Sequence, residues 1–177
     1  MTADERLRRY AELTVRVGAN VQPGQDAVVA CLVEHAEIAR AVTREAYRAG
    51  ASHVIVLYGD LHLRRAAIEL GPEEALGWSA PYLLYLYERW GEEHPALIVL
   101  TGNPDPGLLS DLDPALVGRS EPKELRAAGL RHIEARNINW TIVSYATPAW
   151  AKAVFPNDTE EVAVNRLWDA IFATSRR

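Results

Sequence analysis

The sequence predicts an α/β fold, Rossmann-like and in three layers: a mainly parallel sheet of about four or five strands with helices on both faces. Three observations support this prediction. Short β-branched runs alternate with segments of helical periodicity, and strands joined by helical crossovers form parallel sheets. The first run, residues 26–33, is almost continuously apolar, as expected of a strand buried on both faces. No Gly/Ser-rich linker interrupts the chain, so residues 1–177 are predicted to form a single domain.

The N-terminal elements alternate between helix and strand. Residues 4–19 have helical periodicity and predict an opening helix. Its apolar side is predicted to carry Leu7, Tyr10, Ala11 and Val17. Proline and glycine at residues 22–25 indicate a turn, after which the apolar run 26–33 predicts the first strand. A second helix is predicted over residues 34–50, with Gly50 as its C-terminal stop.

The middle of the chain continues the alternation. Residues 54–58 predict a second strand, and residues 61–70 predict a helix that stops at a Gly-Pro pair. Residues 73–93 predict one short and one longer helix, with a break near residues 77–81. The run 96–101 predicts the third strand.

The C-terminal part closes the predicted sheet. A loop over residues 102–107 precedes a helical pattern at residues 113–136, in which Pro122 marks a helix start or a break. The face of this pattern is predicted to carry Leu125, Gly129, His132, Ile133 and Arg136. Residues 140–145 predict the fourth strand. The last helix has the clearest amphipathic spacing, with Val164, Leu167, Trp168, Ile171 and Phe172 on one face.

Composition and charge exclude several classes of function. The formal net charge is −5, and no basic run marks a surface for nucleic acid or anionic lipid. The apolar runs are too short to span a bilayer, and residues 1–10 lack the apolar core of a secretory signal. The single cysteine, Cys31, has apolar neighbours and is predicted to be a buried hydrophobe, which fits a reducing cytosol. We therefore expect a cytoplasmic protein without nucleic-acid or membrane partners.

No motif nominates a catalytic or metal-binding residue. Residues 32–36, which follow the first strand, contain no glycine and place an acid where a phosphate would approach, so no dinucleotide fingerprint is present. There is no G-x-S-x-G elbow for a serine nucleophile. The histidines are scattered, and only Asp60 and His62 fall together, beyond the second strand. A solvated loop is the favoured interpretation of this pair, and a small-ligand enzyme that uses both side chains is the alternative.

Aromatic residues are concentrated in two segments. Trp78 precedes a helical face that carries Tyr82, Tyr85 and Trp90, and we interpret this stripe as core or as a protein–protein interface. Trp140 opens the fourth strand and Trp150 follows its end. These two tryptophans predict either a rigid strand-to-helix corner or an apolar cavity wall that contacts substrate near the carboxyl ends of the strands.

The corner between strand and helix has a recognisable cap sequence. Pro148 fits the first turn of the next helix, and Thr147 is predicted to be the N-cap residue of that helix.

Several segments resemble one known family, the aminopeptidase T family of metallo-aminopeptidases. The resemblance covers essentially the whole chain, and two of its pieces, Val-Gln-Pro-Gly-Gln and Thr-Pro-Ala-Trp-Ala, are particularly specific. The similar segments are residues 10–13, 17–25, 45–51, 140–143, 147–151, 154–156 and 167–172. The region from Trp78 to Trp90 departs from the family pattern by its richness in aromatic residues.

The resemblance implies a function that this segment alone does not complete. Family members are cytosolic, homodimeric exopeptidases that remove N-terminal residues from peptides with two divalent metal ions, with zinc or cobalt expected. Their metal ligands belong to a C-terminal domain that is absent from these 177 residues. We therefore expect an N-terminal scaffold and cavity-wall domain, inactive in isolation, whose partners are peptide substrate and its own C-terminal domain. The alternative is a stand-alone binding or interaction module that keeps the fold without the enzyme activity.

Overall fold

The computed structural model describes residues 2–175, and this part of the chain contains a four-stranded sheet and eight α-helices. The strands are β1 Ala27–Leu32, β2 Val54–Gly59, β3 Ala96–Thr101 and β4 Trp140–Ser144. The helices are α1 Ala3–Leu13, α2 Ala36–Arg48, α3 Leu61–Leu70, α4 Pro81–Glu93, α5 Pro114–Arg119, α6 Lys123–Glu134, α7 Pro148–Val154 and α8 Glu160–Ser175.

The four strands are all parallel and have the order β2-β1-β3-β4. Ala27 of β1 lies between Val54 of β2 and Ala96 of β3, and Leu97 pairs with Trp140 at the start of β4. The predicted parallel α/β sheet is confirmed. From β1 the chain first adds β2 on one side and then crosses over to add β3 on the other, so the strand order reverses between β1 and β3.

Helices cover both faces of the sheet, which gives the predicted three layers. On one face, α1, α2, α7 and α8 enclose the larger core, in which Val29, Ile38 and Ile98 are fully buried. On the other face, α4 and α6 cover a smaller core built around Val28 and Trp90. Burial of each such side chain contributes roughly 1.5–3 kcal/mol relative to its exposure.

The first helix changes its geometry near its end. Thr14–Gly18 form a π-helix, and the Ala19 amide donates to the Thr14 carbonyl at 2.8 Å, five residues back. The longer turn rotates the following side chains around the axis relative to an α-helix. Val15 is consequently fully buried, whereas Val17 is 69% exposed. The prediction that Val17 shares the apolar side of this helix is wrong for that reason.

Local signals otherwise set the helix ends where the sequence predicts them. Gly50, with φ 98°, follows the end of α2, and Pro122 separates α5 from α6. Arg136 lies beyond the end of α6 and is exposed, so it is not part of the predicted helical face. The apolar face of α8 is confirmed, since Leu167 and Ile171 are buried and Val164, Trp168 and Phe172 pack against the same core.

Burial also explains the chemistry of the cysteine. Cys31 is 8% exposed in β1, as predicted for a buried hydrophobe, and desolvation raises the pKa of its thiol to about 11. Within residues 2–175, no helix combines the length and the apolar character needed to cross a membrane.

Candidate functional site

The reversal of strand order marks the place where open α/β sheets bind ligands, outside the carboxyl ends of the strands. We call this end of the sheet the carboxyl edge, and the opposite end the amino edge. His35 occupies the carboxyl edge between β1 and β3, and its side chain is completely buried. Its Nε2–H donates to the Gly102 carbonyl oxygen at 2.8 Å, and its Nδ1 accepts from the Leu32 amide at 3.3 Å. Because both ring nitrogens are used, the imidazole is fixed in one neutral tautomer and fills the centre of the crevice.

A cavity of about 520 Å³ lies beside His35 at the carboxyl edge. Its lining combines aromatic and aliphatic side chains, the start of α7 and three carboxylates. The aromatic pair is Tyr145 and Trp168, whose rings meet edge to face with centroids 5.3 Å apart. Within the described part of the chain, no Ser, Cys, Lys or His side chain lines this cavity, and its one hydroxyl besides the Tyr145 phenol belongs to Thr147.

Tyr145 connects the cavity to the helix that follows β1. Its hydroxyl donates to the Glu37 carboxylate, and its ring lies 5.9 Å from the His35 ring, centroid to centroid. Burial first, and the hydrogen bond to Glu37 second, raise the pKa of Tyr145 well above its ordinary value. Tyr145 therefore stays a neutral phenol at physiological pH and acts as a fixed hydrogen-bond donor.

The loops after β3 and β4 are held together close to the cavity. Gly102 has φ 132°, and a Cβ at this position would collide with the Tyr145 carbonyl oxygen and approach the Trp150 ring. Thr147 is the N-cap residue of α7 by position, but its hydroxyl donates to the Asn103 carbonyl at 2.9 Å and does not cap the helix. The predicted N-cap position is confirmed, but the buried hydroxyl joins two loops instead of bonding to the helix.

The carboxylates give the cavity a negative character. Glu34, Glu37 and Glu160 line it, and none of them forms an ion pair within residues 2–175. Such a lining repels phosphate and favours cationic groups. This electrostatic character agrees with the missing dinucleotide fingerprint.

The structure does not bring the two predicted cavity tryptophans together. Trp150 lies on α7, half-buried against the larger core, at the carboxyl edge. Trp140 begins β4 at the amino edge and is 42% exposed. The length of β4 separates them, at ~3.3 Å per residue. Neither lines the 520 Å³ cavity directly, so a substrate contact by either residue stays a prediction.

The predicted aromatic stripe divides into two parts. Trp78, Tyr82 and Tyr85 are each more than 60% exposed. Trp90 is 2% exposed and stacks on Tyr87 with ring centroids 4.2 Å apart. Trp90 therefore belongs to the smaller core, because its side of α4 faces the sheet, and it is not available as a surface contact. An interface at the three exposed residues stays a prediction.

Asp60 and His62 have a structural explanation. The Asp60 carboxylate accepts from the His62 amide at 2.7 Å and caps the N-terminus of α3. Among residues 2–175 there is no group of three or more His, Cys, Asp or Glu side chains that could hold a metal ion.

Sequence reasoning missed the residues that organise the carboxyl edge. His35, Glu37 and Tyr145 carry no motif, and only their positions shortly after the ends of β1 and β4 could have indicated them. A residue that follows a strand on either side of the order reversal is placed at this edge by topology alone. That criterion selects His35 after β1, but it depends on the strand order.

Comparison with known proteins gives a consistent result. A family model described as thermophilic metalloprotease (M29) matches residues 3–177. Aminopeptidase T of Thermus thermophilus is 41% identical over 172 residues, which are 96% of this chain and 42% of that protein. Aminopeptidase 2 of Geobacillus stearothermophilus is 34% identical over 175 residues, which are 98% and 42% of the two chains.

The fold has a solved counterpart. The structure of wild-type AmpT from Thermus thermophilus aligns with 97% of this chain at a TM-score of 0.88 and 38% identity, and the alignment covers 43% of that structure. The chain thus spans about 42% of the length of the curated relatives it matches.

Proposed function

Because the chain belongs to the thermophilic metalloprotease family M29, we propose that it forms the N-terminal α/β domain of a metallo-aminopeptidase that hydrolyses N-terminal residues from peptides. Support comes from relatives that are named aminopeptidases and align with nearly the whole chain. The observation that carries most weight is the structural match over 97% of the chain at a TM-score of 0.88.

The metal ions of such an enzyme do not fit the residues described here. A catalytic zinc takes three protein ligands held close together, and no group of this size exists among residues 2–175. We propose that two divalent ions, zinc or cobalt, bind in a separate C-terminal domain. No step of the hydrolysis is assigned to a side chain of this chain.

The contribution of this domain is a rigid wall and a scaffold. The loops at the carboxyl edge are fixed by His35 and Thr147, and they frame a cavity whose acidic and aromatic lining suits a cationic group such as a peptide amino terminus. In this proposal Trp150 packs between the larger core and the loops of the cavity wall and keeps that wall rigid. Peptide substrate and the C-terminal domain are the partners at this edge.

We also propose that the parent enzyme is a cytoplasmic homodimer. The exposed side chains of Trp78, Tyr82 and Tyr85, and of Trp140 at the start of β4, are the candidate contacts with a second copy or with the C-terminal domain. Aromatic side chains are enriched in such interfaces.

A chimera tests the proposal directly. The segment of Thermus thermophilus aminopeptidase T that matches this chain is replaced by residues 1–177, and release of p-nitroaniline from leucyl-p-nitroanilide is measured with added zinc or cobalt. We expect metal-dependent release by the chimera and none by the 177-residue chain alone. Robust release by the chain alone would contradict the placement of the metals.

The alternative function is a stand-alone binding module. The observation that favours this alternative is the cavity of about 520 Å³ with its aromatic and acidic lining at the carboxyl edge. A chimera that folds but shows no hydrolysis, together with retained binding of a cationic peptide by residues 1–177, would favour the module over the enzyme domain.

A further inference from the structure

A second groove adjoins the carboxyl-edge cavity, with which it shares Glu37, and it is rich in arginine. It lies between α1 and α2 and has a volume of about 370 Å³. Four arginines line it: Arg8 from α1 and Arg40, Arg44 and Arg48 from α2. Three carboxylates, Asp4, Glu37 and Glu45, also line it, so the arginines exceed the carboxylates by one in a chain whose formal net charge is −5.

Two of the four arginines have no carboxylate partner in the described part of the chain. Arg40 and Arg44 are exposed, and neither has an ion-pair or side-chain hydrogen-bond partner among residues 2–175. Arg8 approaches a carboxylate only at 3.9 Å, on an exposed part of α1.

Arg48 is held in the groove by a buried carboxylate. It contacts Glu45, whose side chain is 4% exposed and lines the same groove. This ion pair holds the Arg48 guanidinium at the groove.

The spacing of the arginines defines the ligand they fit. Arg40, Arg44 and Arg48 are four residues apart on α2, so successive guanidinium groups start about 6 Å apart along the helix. Like charges at this spacing destabilise a helix unless they are compensated. Carboxylates four residues apart on another helix repeat at the same distance. Adjacent phosphoryl groups share a bridging oxygen and lie closer together.

We propose that this groove binds an acidic helical polypeptide segment whose carboxylates repeat every four residues. Guanidinium groups bind carboxylates bidentately, and Leu7 and Ala41 supply apolar contact between the charged rows. Asp4 and Glu37 also line the groove. Because they repel carboxylates of the bound segment at their own positions, the segment can bind in one direction only. The proposal does not depend on the peptidase activity.

Fluorescence anisotropy tests this proposal with a labelled alanine-based helical peptide that carries Glu at every fourth position. The probe is titrated with the 177-residue chain at low salt, and a peptide with Gln in place of Glu serves as the ligand control. We expect binding of the Glu peptide only, weakening as NaCl is raised because exposed ion pairs are screened. The double variant Arg40→Gln/Arg44→Gln is expected to bind roughly tenfold more weakly or worse, since two charged contacts are lost.

The matched control is Arg126→Gln/Arg131→Gln on α6, which removes the same charge from two exposed arginines on the other face of the sheet. It should bind like the unmodified chain, and circular dichroism should give all variants the same melting temperature. Equal loss in both double variants, or no binding of the Glu peptide, overturns the proposal. Binding of tripolyphosphate that depends on Arg40 and Arg44, without binding of the peptide, overturns the assignment to an acidic polypeptide.

Discussion

Side-chain hydrogen bonds to backbone carbonyls join the loops at both edges of the sheet, but only the carboxyl edge borders the cavity described above. At the amino edge, Gln25 donates to the His94 carbonyl at 2.8 Å and to the Asn139 side chain at 2.6 Å. Asn139 in turn donates to the carbonyls of Ala19 and Asn20. These amide contacts join the loops before β1, β3 and β4.

The loops of the carboxyl edge are also joined by side-chain hydrogen bonds, but this edge is concave. His35 and Thr147 each donate to a carbonyl of the loop after β3. Beside these hydrogen bonds lies the 520 Å³ cavity, lined by three carboxylates that form no ion pair among residues 2–175. The two family-like segments therefore have different places in the fold. Residues 21–25 belong to the amino edge and serve the scaffold alone, whereas residues 147–151 border the cavity.

The largest expected effect is the loss of His35. His35→Ala removes a completely buried ring and leaves the Gly102 carbonyl and the Leu32 amide without partners. We expect the free energy of unfolding to fall by about 4 kcal/mol, from the cavity and from the unpaired groups. Urea denaturation measures this change. His53→Ala is the control, since that side chain is 77% exposed and should change stability by less than about 0.5 kcal/mol. A loss below about 1 kcal/mol for His35→Ala would show that the His35 ring does not stabilise the crevice between β1 and β3.

Glycine substitutions compare the edges at the backbone. Gly102→Ala at the carboxyl edge combines a positive φ with a collision against the Tyr145 carbonyl oxygen, so we expect a loss of about 3 kcal/mol. Gly24→Ala at the amino edge also has a positive φ, 82°, but its Cβ would meet open space. We expect this variant to lose about 1 kcal/mol, from backbone strain alone. Thermal unfolding of both variants checks the order, and equal losses would contradict the packing argument.

Asn139 tests the amide contacts of the amino edge. Asn139→Ala removes the donor to two carbonyls and the acceptor for Gln25, so we expect a loss of about 2 kcal/mol. Asn157→Ala is the control, because Asn157 is exposed in the turn before α8. The measurement is urea denaturation of both variants. If Asn139→Ala were as stable as Asn157→Ala, the amino edge would be held by its backbone alone.

The smallest expected effect is a pH dependence that originates near the carboxyl end of β1. The pKa of the Cys31 thiol is raised to about 11, so the folded protein keeps this proton while the unfolded chain loses it above about pH 8.5. The unfolded state then binds fewer protons, and stability falls as the pH rises toward 11. The raised pKa of Tyr145 acts in the same direction at still higher pH.

We expect the unmodified chain to lose about 1 kcal/mol more than Cys31→Ala between pH 8 and pH 9.5. Urea denaturation at the two pH values measures the difference. Parallel losses in the two proteins would mean that the thiol ionises as easily in the folded state as in the unfolded one.

Local signals were sufficient for most element boundaries. Residues 61–70 and 96–101 form α3 and β3 with the predicted bounds, because a Gly-Pro pair or a loop sequence follows each run. The break between the short 3-10 helix Glu73–Ala75 and α4 was also predicted from proline and glycine. The exposure of Val17 was not predicted, because a π-helix shifts the helical phase and a residue pattern alone does not reveal that shift.

Side-chain partners distant in sequence were not predictable in the same way. Thr147 has the residue type and position of an N-cap, yet its hydroxyl bonds to Asn103, 44 positions away. Trp90 shared the pattern of its exposed neighbours, yet it is buried because the sheet covers its side of α4. Both outcomes depend on which other element lies alongside.

The alternation of strands and helices, the buried character of β1 and the family resemblance could all be inferred from the sequence, because periodicity, turn residues and short family-like segments are local properties of the chain. Only the tertiary structure decided that His35 fills the crevice between β1 and β3, that Trp140 and Trp150 stand at opposite edges, and that arginines of α1 and α2 share one groove. These features depend on strand order and helix packing, which bring together residues that no spacing rule connects.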